Sequence, residues 1–408
     1  MTMAFVKLGE VADMISGFAF KSPMFLDASD DGVLLVRGDN VQQGFIRWGE
    51  KAKKWRKDDF DDLARYQLQK DDVILAMDRP IVGGGLKLAW IKDQDLPSLL
   101  VQRVSRIRGV PGKSKTSFLR YALSDTDFVA HIDRITTGAN IPHISGKDIA
   151  SYQLRLPSLD EQDRIVEFLS AYDDLIENNQ RRIALLEESA RQIYREWFSN
   201  FRFLGTAGPR SGAGAPEGWA LGSVGELASS VSRGITPRYD DSAAGLVINQ
   251  KCIRGGLLGL ADARRQSKEV KADRLLRVGD VLINSTGAGT LGRVAQVRAP
   301  LQDCTVDTHV TIVRPSNPET AAFLGVALLE KEALLSTMGI GSTNQLELPR
   351  ADISALPLLL PPAEQQAVFH DLVWPMFTQT EVLARASERL TEARDCMLPK
   401  LISGELAV

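Results

Sequence analysis

Four histidines and three cysteines in 408 residues leave little with which to hold a metal. Cys252, Cys304 and Cys396 are odd in number and far apart, which excludes a disulfide framework and a Cys-x-x-Cys zinc site. His131, His143, His309 and His370 fall in dissimilar contexts and suggest no Ser-His-Asp set. No run approaches the ~20 apolar residues that span a bilayer; the longest, 356–362, is short and bounded by prolines. The first ten residues carry Lys7 but no apolar stretch with a cleavage site, so no export signal is legible. The 33 Gly and 18 Pro are too few for a low-complexity chain. No Walker loop is present, and Asn317-Pro318 continues with Glu319, so no Asn-Pro-Pro-aromatic methyltransferase motif occurs. The expectation is a cytoplasmic, cofactor-free protein without metal chemistry.

What is present is the mixture of a chain that buries a core: 44% hydrophobic and 25% charged residues, over a length that suits two to four domains. The net charge of −3 is uneven. Residues 1–157 carry +3, 158–205 carry −4, 206–360 carry +1 and 361–408 carry −3.

These boundaries follow from a repeat. Leu8-Gly9-Glu10-Val11 returns as Leu221-Gly222-Ser223-Val224. Asp72-Val73-Ile74-Leu75 returns as Asp280-Val281-Leu282-Ile283, each followed by a glycine cluster. Thr137-Gly138-Ala139-Asn140 returns as Gly341-Ser342-Thr343-Asn344, Asp148-Ile149 as Asp352-Ile353, and Leu156-Pro157…Glu161-Gln162 as Leu360-Pro361…Glu364-Gln365. Matches kept in order over the whole chain indicate a tandem duplication of one long module. Short β-branched runs broken by Gly, Asp and Asn predict strands at 33–36, 73–75, 86–91 and 99–107, and at 246–248, 281–284, 293–297 and 306–313. Helices are expected at 117–129 and 319–337.

After each Leu-Pro the pattern turns helical. Leu169, Tyr172, Ile176, Asn179, Ile183, Leu186, Ala190, Ile193 and Trp197 alternate at spacings of three and four, a coiled-coil seam with one polar member. The second seam is read as Phe369, Leu372, Met376, Gln379, Leu383, Ala386, Leu390, Ala393 and Met397. Pro375 inside it predicts a break, since an interior proline costs ~3 kcal/mol. The fold expected is α+β: two β-rich domains (1–157 and 206–360) in tandem duplication, separated by two long helices (within 158–205 and 361–408) that form an antiparallel coiled coil. Gly287-Ala-Gly289-Thr-Leu-Gly292 fits a dinucleotide fingerprint, but the next residues look like a strand, so a glycine-shaped hairpin is the better reading.

Taken together, these features resemble the specificity subunits of type I restriction-modification systems, the HsdS family. The resemblance rests on Leu156-Pro157…Glu161-Gln162…Ile165, on Tyr194-Arg-Glu-Trp197-Phe198…Phe201-Arg-Phe203, on Gly279-Asp-Val-Leu282, and on Leu398-Pro-Lys-Leu-Ile-Ser-Gly-Glu-Leu406. Asp71-Asp72 departs from it where Gly-Asp is usual, and so does the Trp374-Pro375 interruption. It implies two target-recognition domains that each bind one half of a bipartite double-stranded DNA sequence. It also implies helices that set the spacing and dock two modification (methyltransferase) subunits, joined by restriction subunits. The S-adenosylmethionine cofactor would sit in the modification subunits, and no membrane is involved. The alternative is a non-catalytic interaction scaffold without sequence-specific DNA binding.

Lysine and arginine would hold phosphates, while Arg, Asn, Gln and Thr on loops would read base edges. The DNA-binding candidates are Arg37, Asn40, Arg79, Lys87, Arg134, Asn140 and His143 in the first module, and Asn249, Lys251, Asn284, Thr286, Arg293, Asn344 and Gln345 in the second. Helix pairing and subunit docking are expected of Leu169, Tyr172, Ile176, Asn179, Ile183, Leu186, Ile193, Trp197, Leu383, Leu390 and Met397. The basic run Lys51–Lys57 reads equally as a backbone contact or an exposed helix face.

Overall fold

The computed structural model describes residues 5–49, 52–136, 142–203, 216–287, 289–341 and 346–408. The chain divides into two compact units, Met1–Ile176 with Glu388–Val408, and Glu177–Ser387. Each holds one β-rich region and a stretch of both long helices.

In the first unit a four-stranded antiparallel sheet has the order Ala12–Ser16, Val104–Gly109, Val73–Ala76, Leu88–Trp90. A three-stranded sheet places Val33–Val36 antiparallel to Lys54–Trp55 and parallel to Ser98–Leu100. Phe5–Lys7 pairs with Gln153–Arg155. The second unit repeats these three sheets. Its four-stranded sheet runs Ala228–Arg233, Val310–Pro315, Val281–Asn284, Val294–Gln296. Gly245–Ile248 lies antiparallel to Arg264–Gln266 and parallel to Cys304–Val306, and Ala220–Ser223 pairs with Pro357–Leu360. The same strand order and the same mixture of senses in both units are the structural form of the duplication.

The central strands are apolar without alternation because both faces are covered. Val73 and Leu75 point into one core cluster, and Ile74 and Ala76 into another. In the second unit Val281 and Ile283 take one side and Leu282 the other. The acid opening each strand is buried and gripped by an arginine. Arg108 Nε and Nη2 donate to Asp72 at 2.5 and 2.6 Å, and Arg314 Nε and Nη2 donate to Asp280 at 2.8 and 2.7 Å. The same carboxylates close the preceding turns by accepting the backbone N–H of Gln69 and of Arg277. Gly279 has φ +97° and Asp71 has φ +67°. The turn demands a left-handed residue, which glycine supplies freely and aspartate tolerates better than most. The departure at Asp71 therefore preserves the backbone.

Five local expectations are corrected. The helix expected at 319–337 is two, Thr320–Glu330 and Glu332–Thr337, and the run 86–91 divides into Gly85–Leu86 and Leu88–Trp90, which belong to different sheets. The run 99–107 is two strands, Ser98–Leu100 and Val104–Gly109, which belong to different sheets; the chain crosses between them at Arg103, whose φ is +65°. Likewise 306–313 divides into Cys304–Val306 and Val310–Pro315. The helix expected at 117–129 is two, Thr116–Ala122 and Thr126–Ile135, because Asp125 caps the second through the Thr126 N–H. The glycine-rich segment after Val281–Asn284 leads into an antiparallel strand, not a helix, with Gly287, Gly289 and Gly292 all at positive φ.

The first long helix runs Leu159–Tyr194 and ends in a π-helical turn, Arg195–Ser199. Ser158 Oγ accepts the Glu161 N–H at its start. Gln162 sends its amide back to the Pro157 carbonyl at 2.9 Å, and Gln366 does the same to Pro361 at 2.9 Å. The structural counterpart of Gln162 is thus Gln366, one residue beyond the match read from the sequence. The second helix, Ala363–Ser403, runs through Pro375 without ending. Pro375 and Asp371 lie on the exposed side, where the carbonyl that loses its partner is left to water, while Phe369, Val373 and Phe377 hold the other side in the core.

Within the first unit Ile165 and Leu169 pack in one cluster with Leu398, Leu401 and Ile402, and Arg394 Nη1 donates to Asp173 at 2.7 Å. Within the second, Tyr194, Trp197 and Phe198 surround Phe369 at ring distances of 6.2, 5.9 and 5.0 Å. Arg298 bonds both Glu187 and Thr380 there. In each unit, rising numbers on one helix meet falling numbers on the other, so the segments run antiparallel. Leu169, Asn179, Ala190, Trp197 and Leu383 are buried, and Tyr172, Ile176, Ile183, Leu186, Ile193, Leu390 and Met397 are half-buried. Leu372 is 42% exposed; the stripe over this stretch is Phe369, Val373, Phe377 and Thr380, displaced by one residue to face the second core.

Candidate nucleic-acid interface

Loops from three parts of the first module converge beyond the strand Val73–Ala76. Met77 N–H donates to the Arg103 carbonyl at 2.9 Å, Ile144 N–H to the Met77 carbonyl at 3.0 Å, and Arg79 N–H to the Pro142 carbonyl at 2.7 Å. Asp78 and His143 form a bridge between these segments. Arg79 and Arg103 both stand at positive φ, a conformation that a side-chain-bearing residue holds only when its surroundings enforce it. The stitching brings charged side chains together. Asp78 Oδ2 accepts from Arg103 Nη1 at 2.7 Å, and Asp78 Oδ1 faces His143 Nδ1 at 2.6 Å. Partial burial pushes the Asp78 carboxyl up, but its bonds and charge attraction to Arg103 and His143 outweigh this and hold it below the ordinary range. Burial pushes the Lys87 ammonium down; Asp39 and Asp78 oppose that shift, while Arg47 and Arg79 add to it. The end of the module therefore presents Arg47, Arg79, Lys87, Arg103 and His143 around two acids. Ser16, Met77, Arg103 and His143 line an open depression there.

The second module builds the same frame with other side chains. Ser285 N–H donates to the His309 carbonyl and Leu348 N–H to the Ser285 carbonyl, both at 2.8 Å, and Thr286 bridges Glu347. By this register Thr286 stands where the first module has Asp78, His309 where it has Arg103, and Glu347 where it has His143. Thr286 Oγ1 lies 2.7 Å from His309 Nδ1. Gln250 Nε2 donates to Thr286 Oγ1 at 2.5 Å and to the Thr286 carbonyl at 2.9 Å. Arg233 Nη2 donates to Glu347 at 2.8 Å.

The structure sorts the candidates. Arg79, Lys87 and His143 gather at the first end, and Thr286 lies in the centre of the second. Arg37 is half-buried with its guanidinium 5.9 Å from the Phe25 ring. Arg293 donates to the Gly289 carbonyl at 2.9 Å, Lys251 is exposed, and Arg134 is exposed on the helix Thr126–Ile135, bonded to the Ala130 carbonyl. Two candidates are corrected. Asn40 is buried, accepts the Arg37 N–H and donates to the Arg47 carbonyl, and Asn284 is buried and donates to the Gln250 carbonyl. Both shape loops and present no polar edge outward. Asn249 is similarly engaged, by the Lys251 N–H and the Asp262 carbonyl. Asn140, Asn344 and Gln345 lie outside the described residues. The basic run includes a strand, Lys54–Trp55, whose neighbours are paired with acids: Lys53 with Asp27, Lys57 with Asp31 and Arg56 with Asp59.

Sequence reasoning missed Asp78, Arg103, Gln250 and His309. The signal was available in part: aligning Asp72 with Asp280 sets Asp78 against Thr286. Arg103 lay hidden inside what read as one strand. Among the described residues no group of His, Cys, Asp or Glu could hold a metal ion, and no helix is long and apolar enough to cross a membrane.

One module is used twice, each time with polar loops gathered beyond one sheet and followed by a long helix, which defines a tandem-module protein. The chain is similar to type I restriction-modification specificity subunits. Residues 2–188 match the family model described as type I restriction modification DNA specificity domain. The chain is similar to the type I restriction enzyme MjaVIII specificity subunit of Methanocaldococcus jannaschii, 33% identical over 188 residues, covering 46% of this chain and 43% of that one. It is 34% identical over 171 residues to the EcoAI specificity subunit of Escherichia coli, covering 42% and 28%. The chain thus spans less than half the length of these two relatives. Against the Escherichia coli EcoBI specificity subunit the identity is 24% over 441 aligned positions, covering 98% of this chain and 85% of that one. The crystal structure of the type I restriction-modification system S subunit from M. genitalium shares the fold, with a TM-score of 0.61 at 14% identity over 98% and 96% of the chains.

Proposed function

We propose that this chain is the DNA sequence-specificity subunit of a type I restriction-modification complex, with each module binding one half of a bipartite target. Its relatives are specificity subunits by name. The observation that carries the reading is the contrast within the duplication: an identical strand frame with buried Asp–Arg pairs, and loop ends whose polar side chains differ. A reader of two different half-sites needs this combination, since phosphate contacts position a protein and base contacts specify.

In this reading the two long helices fix the gap between half-sites and dock two modification subunits. S-adenosylmethionine and the adenine methylation belong to those subunits, cleavage belongs to restriction subunits, and this chain contributes no chemistry. Its place is the cytoplasm, with the DNA. The test is to express the chain with its modification subunits in a methylation-free host and sequence the methylome. One motif of two short specific halves around a fixed gap is expected. Methylation without a motif, or none, contradicts the proposal.

A further inference from the structure

The polar groups at the ends of the two modules differ in hydrogen-bonding polarity as well as in charge. At the first end His143 turns Nδ1 to a carboxylate that accepts only, Asp78 Oδ1 at 2.6 Å. In the neutral ring an acceptor there places the imidazole proton on Nδ1 and leaves Nε2 as an acceptor on a side chain 47% exposed. Arg103 donates one nitrogen to the same carboxylate, and the rest of its guanidinium is on a side chain 61% exposed. At the second end the order is reversed. The Thr286 carbonyl can only accept, so the Gln250 atom 2.9 Å away is its NH2 group, and that same NH2 donates to Thr286 Oγ1. The hydroxyl then has its proton free to donate to His309 Nδ1, 2.7 Å away. In that arrangement Nδ1 is unprotonated, and the exposed His309 carries its proton on Nε2. Asp307, nearby, takes the His309 backbone N–H instead of the ring.

We propose that the two modules read base edges through histidines locked in opposite tautomers: His143 offers an Nε2 acceptor beside the Arg103 donors, and His309 offers an Nε2–H donor. The assignment to bases rests on the DNA-reading function proposed above; the tautomers do not. In the major groove a free acceptor meets the exocyclic amine of cytosine or adenine, and an arginine fork meets guanine O6 and N7. The first end thus carries the complement of a G·C pair, the guanine for Arg103 and the cytosine amine for His143. The second end carries a donor for guanine O6 or N7, adenine N7 or thymine O4. Asp78 and Thr286 are positioning residues, acting through the side chains they orient.

Two measurements test this. The full chain labelled with 15N-histidine has four imidazoles, and His143→Gln and His309→Gln identify the two of interest. Long-range 1H–15N correlation at pH 8 is expected to show the Nδ1–H form for His143 and the Nε2–H form for His309. Thr286→Val is expected to release His309 into a mixture of forms. The same tautomer at both residues overturns the proposal. In the second measurement the complex with modification subunits selects from DNA randomised over the target. Arg103→Gln and His143→Gln are expected to relax one G·C position of the first half-site about ten-fold or more, with the second half-site unchanged. A loss spread evenly over all sequences, with the salt slope reduced by about one, places Arg103 on a phosphate and overturns the base reading. If the unaltered complex selects no sequence, the DNA-reading function itself fails, while the tautomers are still decided by the resonance experiment.

Discussion

Arg108 grips Asp72 in the first unit and Arg314 grips Asp280 in the second, yet six residues along, the first has Asp78 where the second has Thr286. A buried ion pair tolerates little: removing one partner leaves an uncompensated charge in the interior. A loop end facing solvent carries no such constraint. The comparison separates what the module needs in order to fold from what each copy is free to vary, and in the function proposed above the second class carries specificity.

The comparison can be pushed from its strongest consequence downward. Asp280→Ala leaves Arg314, 10% exposed, without its partner and is expected to destabilise the second unit by about 3–5 kcal/mol. Asp72→Ala leaves Arg108, 26% exposed and able to reach water, and should cost less, about 1–3 kcal/mol. Denaturant unfolding of the two variants measures the difference, and equal losses would break the distinction. Next in size is the turn before each acid. Gly279→Ala places a Cβ at φ +97° and 3.3 Å from the Ala321 Cβ, for an expected loss of about 1–2 kcal/mol. Asp71→Gly relieves a left-handed aspartate but loosens the unfolded chain, so its effect should stay within about 1 kcal/mol.

The smallest effect is a pH dependence confined to the first unit. The Asp78 carboxyl is held below its ordinary range in the folded state. Its contribution is therefore fully present above the unfolded-state value near pH 4 and is lost as pH falls through the lower folded value. Asp78→Asn should flatten the acid limb of the stability profile, whereas Thr286→Val should leave that limb as it was. An unchanged acid limb in Asp78→Asn would show that the Arg103 and His143 contacts do not hold the carboxylate.

Much of the frame was legible in the amino-acid pattern. Asp72–Leu75 and Asp280–Ile283 announced the duplication because buried strands and their turns admit few substitutions. The long helices were legible because a seam at spacings of three and four has no other economical reading. What escaped was set by tertiary context. Nothing in the run around Val101–Val104 shows that the chain changes sheets at Arg103. The backbone lets Pro375 stand in a helix because its exposed side is solvated and its buried side is anchored. Asn40 and Asn284 looked like readers because asparagine suits both roles, and only burial shows that their amides bond loop carbonyls. Asp78 escaped because its function is to hold Arg103 and His143, residues far from it in sequence.

The most direct test of two autonomous readers on one repeated frame is an exchange of residues 1–155 for those of a relative with a different target, followed by methylome sequencing of the complex. The account predicts a hybrid motif in which one half is new, while the other half and the gap are retained. A motif altered in both halves would contradict it.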